Sequence, residues 1–400
     1  MYKNKQVAQE YNPCPCESGW QFPDCCGLES SENYRIFGEL DNPNNLSIEN
    51  TAKIENAINN MHETPDLFPV KLSLKQKKVH YVKMSPHWYN KSIFIDPERI
   101  AGSYGLSADL DQLAYICDQI APNNSPFIFH TAFCGSTLLS RALAEIYECL
   151  PIREPQAIND LYQFVKDKQS DDKEISLWLS RIIAILSRRY HPYAPSIIKA
   201  NDYANGLMMS LLKHSVTTPV LFMYTPLSEF LASCLKAENR RQWIKSRYQY
   251  CKSPVADLLN IPVQDMMLTE ENVGEMAAIY WIYNILLFEN AYDQHPNNLF
   301  SLDFNHMLDN PIDCLETCAD LFSLEPKKSI NVSEELEWLL SVYSKDSIQD
   351  YSPDRRQKDI QQTLSENKHI LKNAEGFARN ILAERYPVFT LRGGLTNQAD

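Results

Sequence analysis

The chain has 400 residues, of which 44% are hydrophobic and 11% aromatic, enough to bury a large core. Its formal net charge of −13 argues against general nucleic-acid binding, although a local basic patch is compatible with it. No apolar run approaches the roughly 20 residues that span a bilayer, and the N-terminal segment has no apolar signal core. Four of the eleven cysteines are clustered, a usage that favours reduced thiols plus a metal site over a disulfide framework. We therefore expect a soluble, cytoplasmic protein with no membrane partner.

Four cysteines lie close together near the N-terminus. The segment NPCPCESGWQFPDCCG has the pattern C-x-C, eight residues, then C-C. Four thiolates so close in sequence can complete a tetrahedral zinc shell, and the segment is too short to fold without the metal. Chance clustering or redox chemistry is the alternative. The spacing predicts a zinc site whose ligands are Cys14, Cys16, Cys25 and Cys26.

The residues around these cysteines resemble the SEC-C motif, a small zinc-binding element appended to many bacterial proteins. The resemblance covers Pro13 to Gly27 and includes Pro15 and Phe22. The basic residues of that motif are absent here. The resemblance implies a zinc module over residues 1–28 through which the chain docks on a protein partner.

A polar, Asn-rich connector over residues 29–65 precedes a main domain over residues 66–400. KKVHYVKM alternates and predicts a strand, and SIFIDPERI predicts a second, which would complete a hairpin. Helical spacing runs from Leu106 to Ile120. Alternating strands and helices follow, which predicts an α/β fold with a central parallel sheet flanked by helices and a ligand at the carboxyl ends of the strands. The strands are expected at Phe127–Phe129, Glu148–Arg153, Ser196–Lys199 and Pro219–Tyr224.

The stretch FIFHTAFCGSTLLSR has the pattern of a phosphate-binding loop: a buried strand, a turn of small residues, then an apolar helical stripe. Ala132 and Gly135 allow a tight turn, and Ser136 and Thr137 fall at the helix N-terminus. Backbone N–H groups, the helix dipole and two hydroxyls converge there, an arrangement that suits phosphate or sulfate. The G-x-x-x-x-G-K-[ST] spacing is absent, which disfavours an ordinary ATP or GTP site.

Several segments follow one another as they do in the sulfotransferase family, P-loop proteins that use phosphoadenosine phosphosulfate (PAPS) as sulfuryl donor. FCGSTLLSR resembles the loop of that family, IREPQ its strand-end acidic segment, and IIKAND its lysine segment. MYTPLSEFLASCLK occupies the place of its 3′-phosphate segment. The resemblance runs over about residues 125–345, and order and spacing carry it more than any single segment does.

The resemblance implies a sulfotransferase that moves a sulfuryl group from PAPS to an acceptor that the sequence does not name. Glu154 is the candidate general base, with a salt bridge to Arg153 or Arg141 as its structural alternative. Lys199 is the candidate cation for the bridging oxygen, with a surface lysine as its alternative. The implied donor-binding residues are Ala132, Phe133, Cys134, Gly135, Ser136, Thr137, Thr225, Ser233 and Lys236.

The chain departs from the family at two places. Phe133 stands where many relatives carry a cation, and Tyr224 and Thr225 stand where the family has its arginine; Lys236, Arg240 or Arg241 would then have to reach the phosphate. These losses favour an alternative function, a non-catalytic nucleotide or anion sensor whose zinc module docks on a protein or ribosomal partner. A P-loop kinase is disfavoured, because no Mg²⁺-binding aspartate follows a strand at the right place.

Other residues are predicted to be structural. His130 ends an apolar strand, a common place for a hydrogen-bonded histidine, and Cys134 does not have the spacing of a C-x5-R nucleophile loop. Asp303 is expected to have a structural role and Trp281 to pack in the core. Arg392-Gly393-Gly394 resembles a C-terminal nucleotide contact of the family, but a disordered tail is the preferred interpretation.

Overall fold

The computed structural model describes residues 58, 61–95, 106–121, 124–167, 172–215, 217–328, 330–343, 346–350, 352–382 and 391–395. The predicted zinc module and most of the connector lie outside these residues. The chain divides into two compact units, each described by itself below. The first comprises the described parts of Met1–Phe127, Leu143–Ala204 and Ser323–Lys328, and the second those of Ile128–Ala142, Asn205–Phe322 and Ser329–Asp400.

An antiparallel sheet of three strands, in the order β1-β2-β3, lies in the first unit. The strand predicted at KKVHYVKM is confirmed as β2. The helix predicted from Leu106 was placed too early, because residues 106–109 pair with β2 and the helix starts only after them. The elements are β1 Leu67–Ser73, β2 Lys78–Lys83, α1 Pro86–Lys91, β3 Leu106–Asp109 and α2 Leu110–Cys117.

The strand predicted over SIFIDPERI is not formed by its described residues. Ser85 begins helix α1 instead, and its Oγ accepts the N–H of Trp88 as an N-cap. Residues 92–95 have no strand assignment, and Ile95 donates its N–H to the carbonyl of Arg153 at 2.7 Å. The end of the predicted strand, residues 96–100, lies outside the described residues.

A five-stranded parallel sheet has the order β5-β6-β4-β7-β8 and is flanked by helices, so the predicted α/β class is confirmed. The strands predicted after residue 125 are all present, within two residues of their expected bounds. The elements in chain order are β4 Phe127–His130, α3 Ser136–Ile146, β5 Leu150–Arg153, α4 Gln156–Lys166, α5 Asp172–Leu186, β6 Ser196–Lys199, α6 Met208–His214, β7 Val220–Tyr224, α7 Leu227–Leu235, α8 Glu238–Leu259, α9 Val273–Gln294 and β8 Leu299–Asp303.

The sheet strands are continuous apolar runs, and every residue of β4, β5, β6 and β7 is buried. Strands covered by helices on both faces have this composition, whereas a strand with one exposed face would alternate apolar and polar residues. In the second unit α9 is apolar on nearly every side and is buried along most of its length. Trp281 of α9 is fully buried, which confirms its predicted place in the core.

Helices dominate the chain after the last parallel strand. Residues 391–395 return to β8, where Ser301 donates its N–H to Gly393 at 2.8 Å and accepts from Leu395 at 2.9 Å. The prediction of a disordered tail at Arg392-Gly393-Gly394 is therefore wrong. None of the described helices is long and apolar enough to cross a bilayer. The elements are α10 Phe304–Asp309, α11 Pro311–Leu321, α12 Val332–Ser341, β9 Val342–Tyr343, β10 Asp346–Asp350, α13 Pro353–Glu366 and α14 Lys368–Leu382.

A buried arginine fixes the segment that leads into β1. Arg188, 4% exposed, donates to the carbonyls of Thr64 at 2.6 Å and Leu67 at 2.8 Å, and also to Met61. Burial lowers the pKa of its guanidinium. A buried carbonyl without a hydrogen-bond donor would lower the stability of the fold, and Arg188 supplies the donors that these carbonyls need.

Candidate functional site

The turn between β4 and α3 has an unusual backbone. Ala132, Phe133 and Gly135 have φ angles of 68°, 53° and 70°, in the left-handed region. For a residue with a Cβ this region costs about 1–2 kcal/mol, so the surrounding structure must hold it. Three bonds do so: Thr131 donates its N–H to the Met223 carbonyl at 3.0 Å, Cys134 donates its Sγ–H to the same carbonyl at 3.3 Å, and Ala132 donates its N–H to Nδ1 of His130 at 3.0 Å.

These bonds give His130 the structural role predicted for it and tie down the thiol of Cys134, for which donor binding stays a prediction. The ring nitrogen of His130 accepts from the turn and its carbonyl accepts from Asn205 at 2.8 Å. The Cys134 thiol is fully buried. The turn is thereby fixed against β7 before any ligand arrives.

Two hydroxyls stand where the turn enters α3. Ser136 and Thr137 are each only 5% exposed, and in the described part of the chain neither hydroxyl oxygen is a buried atom that lacks a hydrogen-bond partner. Both lie in the first turn of the helix, where backbone N–H groups have no carbonyl four residues earlier within the helix. Hydroxyls and first-turn amides at such a place can donate to a ligand, and an oxyanion is the acceptor that the helix dipole favours.

Gly135 is required by space as well as by conformation. A Cβ added there would lie 2.0 Å from Cε2 of Phe304, the first residue of α10. No side chain fits at that distance. The ring of Phe304 therefore covers the turn directly, and only glycine allows the contact.

The predicted Glu154 and Lys199 meet at the carboxyl ends of β5 and β6. Lys199 is fully buried and its Nζ forms an ion pair with Oε1 of Glu154, whose side chain is 13% exposed. Asn201 donates to the other carboxylate oxygen at 2.6 Å. Glu154 therefore pairs with Lys199, and the surface-lysine alternative for Lys199 is wrong.

Local backbone geometry brings this pair together. Glu154 has a φ of 50° and donates its N–H to the carbonyl of Lys199 at 2.6 Å. The ring of Phe94 lies 5.8 Å from the ammonium, which gives the lysine an apolar neighbour as well. Breaking a buried pair of this kind by removing one partner costs roughly 3–5 kcal/mol.

Thr225 follows β7 directly and belongs to a network centred on Glu229 of α7. The carboxylate of Glu229 accepts from Asn305 at 2.6 Å and from Arg356 at 2.6 Å, and Thr225 Oγ1 lies 3.4 Å from it. Trp281 donates its ring N–H to the Thr225 carbonyl at 3.0 Å. Sequence reasoning missed Glu229, Asn305 and Arg356; Arg356 lies on α13, far along the chain, and no local pattern connects it to β7.

The two other predicted donor-binding residues lie around the end of α7. Ser233 is half-buried, and its carbonyl accepts from Nη1 of Arg240 at 2.9 Å. Lys236 forms an ion pair with Asp359 on α13, and a phosphate role for it stays a prediction.

Asp303 has the structural role expected for it. Its Oδ1 accepts the N–H of Asn305 at 2.7 Å and so begins α10, the helix that carries Phe304. Burial raises the pKa of this carboxyl. The cap therefore helps to position the ring that covers Gly135.

The predicted zinc ligands Cys14, Cys16, Cys25 and Cys26 lie outside the described residues. Within the described residues no group of three or more histidine, cysteine, aspartate or glutamate side chains could hold a metal ion. The seven cysteines after the N-terminal cluster form no disulfide in the described part of the chain.

The fold is thus α/β, with a left-handed turn of small residues at the end of β4 and a buried lysine–glutamate pair at the ends of β5 and β6. No protein-family model matches the chain, and no curated protein matches it. A solved structure, the "Sulfotransferase Domain from the Curacin Biosynthetic Pathway", aligns with a TM-score of 0.36 and 12% identity over 66% of this chain and 98% of that chain.

Proposed function

We propose that the protein is a sulfotransferase-like enzyme that transfers a sulfuryl group from PAPS to an acceptor nucleophile in the cytoplasm. The observation that carries the proposal is the left-handed turn that leads into α3, where the hydroxyls of Ser136 and Thr137 stand beside first-turn amides. The turn would hold the phosphosulfate through residues 132–137. Thr225 and Ser233 would bind the second phosphate of the nucleotide.

Sulfuryl transfer breaks the bond from sulfur to the bridging oxygen of the donor and forms a bond from sulfur to an acceptor oxygen or nitrogen. In the proposed step the acceptor proton passes to the carboxylate of Glu154. The Lys199 ammonium neutralises the charge that develops on the leaving phosphate oxygen. Positioning and electrostatics supply most of the rate in the related phosphoryl transfers, and preorganised cations and amides suit that requirement.

A second function has a specific observation in its favour. Both oxygens of Glu154 already have partners, Lys199 and Asn201, as they would in a purely structural ion pair. A protein that binds a nucleotide or anion without transferring a group needs no free base. In that case the zinc module, proposed to hold zinc through its four cysteines, would dock the anion-bound protein on a protein or ribosomal partner.

Binding is the first test of the proposal. Calorimetric titration with adenosine 3′,5′-bisphosphate, beside ATP and adenosine 5′-monophosphate, is expected to give selective binding of the bisphosphate. Ser136→Ala and Ser233→Ala should each weaken it. Equal binding of the three nucleotides, or none, would count against a PAPS site.

Transfer separates the enzyme from the sensor. Incubation with sulfur-labelled PAPS and an acceptor mixture should label acceptors with the wild type and not with Lys199→Met. Methionine has about the volume of lysine but no charge. The double variant Glu154→Gln/Lys199→Met removes both charges of the buried pair, so it leaves no uncompensated charge and serves as a control for stability. Selective bisphosphate binding without transfer to any acceptor would favour the sensor. Full transfer by Lys199→Met would refute the catalytic assignment.

A further inference from the structure

The turn that is proposed to bind an oxyanion contains no lysine or arginine between Thr131 and Thr137. Amides and hydroxyls can orient such a ligand, but arginine gives the strongest contacts to phosphate or sulfate. Cations for the turn must therefore come from elsewhere. The junction of α7 and α8 in the second unit carries three candidates, Lys236, Arg240 and Arg241.

The contacts of these three side chains differ. Lys236 has its charge matched by Asp359. Arg241 donates to the Leu235 carbonyl at 3.2 Å and to Oδ1 of Asn367 at 3.1 Å, which directs it toward the helices that follow. Neither contact involves the turn.

Arg240 touches the turn. Its guanidinium carbon lies 4.7 Å from the ring centroid of Phe133, and its Nη1 donates to the Ser233 carbonyl at 2.9 Å. Among the described residues no carboxylate pairs with it. Arg240 therefore places an uncompensated positive charge on the ring of a turn residue.

Phe133 is held in position to make this contact. Its φ of 53° is unfavourable for an aromatic residue, and such an outlier invites a functional explanation. The ring packs against Trp243 of α8 at 5.1 Å and Phe230 of α7 at 6.1 Å between centroids. The ring face thus serves as a platform for a guanidinium, a contact that stacking and cation–π attraction both favour.

We propose that Arg240, stacked on Phe133, is the cation of the oxyanion site at the turn, and that the ligand there carries phosphate or sulfate. The proposal depends on the proposed function only in that the turn binds an oxyanion; neither PAPS nor transfer is required. Phe133 is a positioning residue in this arrangement, because it acts through Arg240. The turn itself has no charged side chain, and the ring of Phe133 holds the guanidinium of Arg240, from α8, beside it.

The test compares Arg240→Gln with Arg241→Gln in the full-length protein. The two residues are adjacent on one helix, each donates to a carbonyl at the end of α7, and each change removes one positive charge. Titrations use inorganic pyrophosphate, sulfate and adenosine 3′,5′-bisphosphate at low ionic strength. Arg240→Gln is expected to raise Kd for pyrophosphate roughly 10- to 100-fold, the loss of one or two charge-assisted contacts, and Arg241→Gln less than about threefold.

Phe133→Leu keeps an apolar side chain and removes the ring. It should raise Kd several-fold in the wild type and have little effect in Arg240→Gln, since the ring acts through the arginine. The wild-type affinity should also fall more steeply with salt than the affinity of Arg240→Gln. Thermal unfolding of each variant shows whether a loss of binding comes from a loss of fold.

Each outcome decides the proposal. The assignment of Arg240 would be overturned if Arg240→Gln and Arg241→Gln had equal effects. It would also be overturned if pyrophosphate binding were lost in Ser136→Ala but kept in Arg240→Gln. Either result would leave the nucleotide proposal standing. Pyrophosphate binding that depends on Arg240 without any bisphosphate binding would support it and refute the nucleotide. A wild type that binds no oxyanion would overturn both.

Discussion

Replacing Gly135 by alanine tests whether the turn is fixed by the ring that covers it. The added methyl would lie 2.0, 2.4 and 2.6 Å from three ring atoms of Phe304, against an ordinary carbon–carbon contact of about 3.5–4.0 Å. The ring must therefore move by roughly 1.5 Å. Phe304 is only 6% exposed and the guanidinium of Arg356 lies 4.5 Å from its ring centroid, so the movement disturbs packed neighbours.

Two costs add in this substitution. The φ of 70° at Gly135 costs alanine about 1–2 kcal/mol. Overpacking against a buried ring costs about 1–3 kcal/mol more. Gly135→Ala should thus lower the free energy of unfolding by about 2–5 kcal/mol, measured by urea denaturation followed by circular dichroism.

Gly376 provides a matched control. It lies inside α14, and a Cβ added there would meet nothing within 4 Å. Gly376→Ala should therefore leave stability unchanged or raise it by up to about 1 kcal/mol, through helix propensity.

A double-mutant cycle isolates the contact with the ring. Phe304→Ala removes the obstacle, so Gly135→Ala should cost about 1–3 kcal/mol less in that background than in the wild type. If the two effects simply add, or if Gly135→Ala is as stable as Gly376→Ala, the argument from close approach is refuted.

Three further predictions concern other parts of the chain. We expect elemental analysis to find about one zinc ion per chain, and this zinc should be lost in Cys14→Ser. In the metal-free protein the four N-terminal thiols should react with a labelling reagent at pH 8. Cys117 and Cys149 should not react, since burial raises the pKa of both thiols to about 12. A metal-free wild type would contradict the zinc assignment. Arg188→Met should cost about 3 kcal/mol or more in urea denaturation, because it leaves carbonyls of Thr64 and Leu67 unsatisfied, whereas Arg189→Met, with no such bonds among the described residues, should cost little. Glu154→Gln and Lys199→Met should each destabilise by about 3–5 kcal/mol and the double variant by less than their sum; additive losses would mean that the buried ion pair is not coupled.

Local sequence was a good guide where one short segment decides the structure. The buried strand, the small-residue turn and the helix that starts at Ser136 follow from the pattern FIFHTAFCGSTLLSR, and the apolar runs of β6 and β7 mark fully covered strands. The prediction was wrong where an equally good local pattern was overruled. Leu106–Asp109 pairs with β2 rather than joining the helix, because an antiparallel neighbour offers its backbone a ladder of hydrogen bonds.

The pairing of charges was beyond local reasoning. Glu154 has arginines nearby in sequence, yet its partner is Lys199, because the two residues end adjacent parallel strands. Arg356 reaches Glu229 across more than a hundred residues of chain. No periodicity records such a contact, since it depends on how helices fold back on the sheet.

The sequence by itself determined the α/β class, the position of the turn between β4 and α3 and the residues at the strand ends, because these depend on local propensity and apolar patterning. Only the tertiary structure decided what the cations after α7 contact. Lys236, Arg240 and Arg241 are equivalent in sequence, and their contacts differ because Asp359 pairs with Lys236, the ring of Phe133 lies beside Arg240 and Asn367 accepts from Arg241, each partner being distant in the chain.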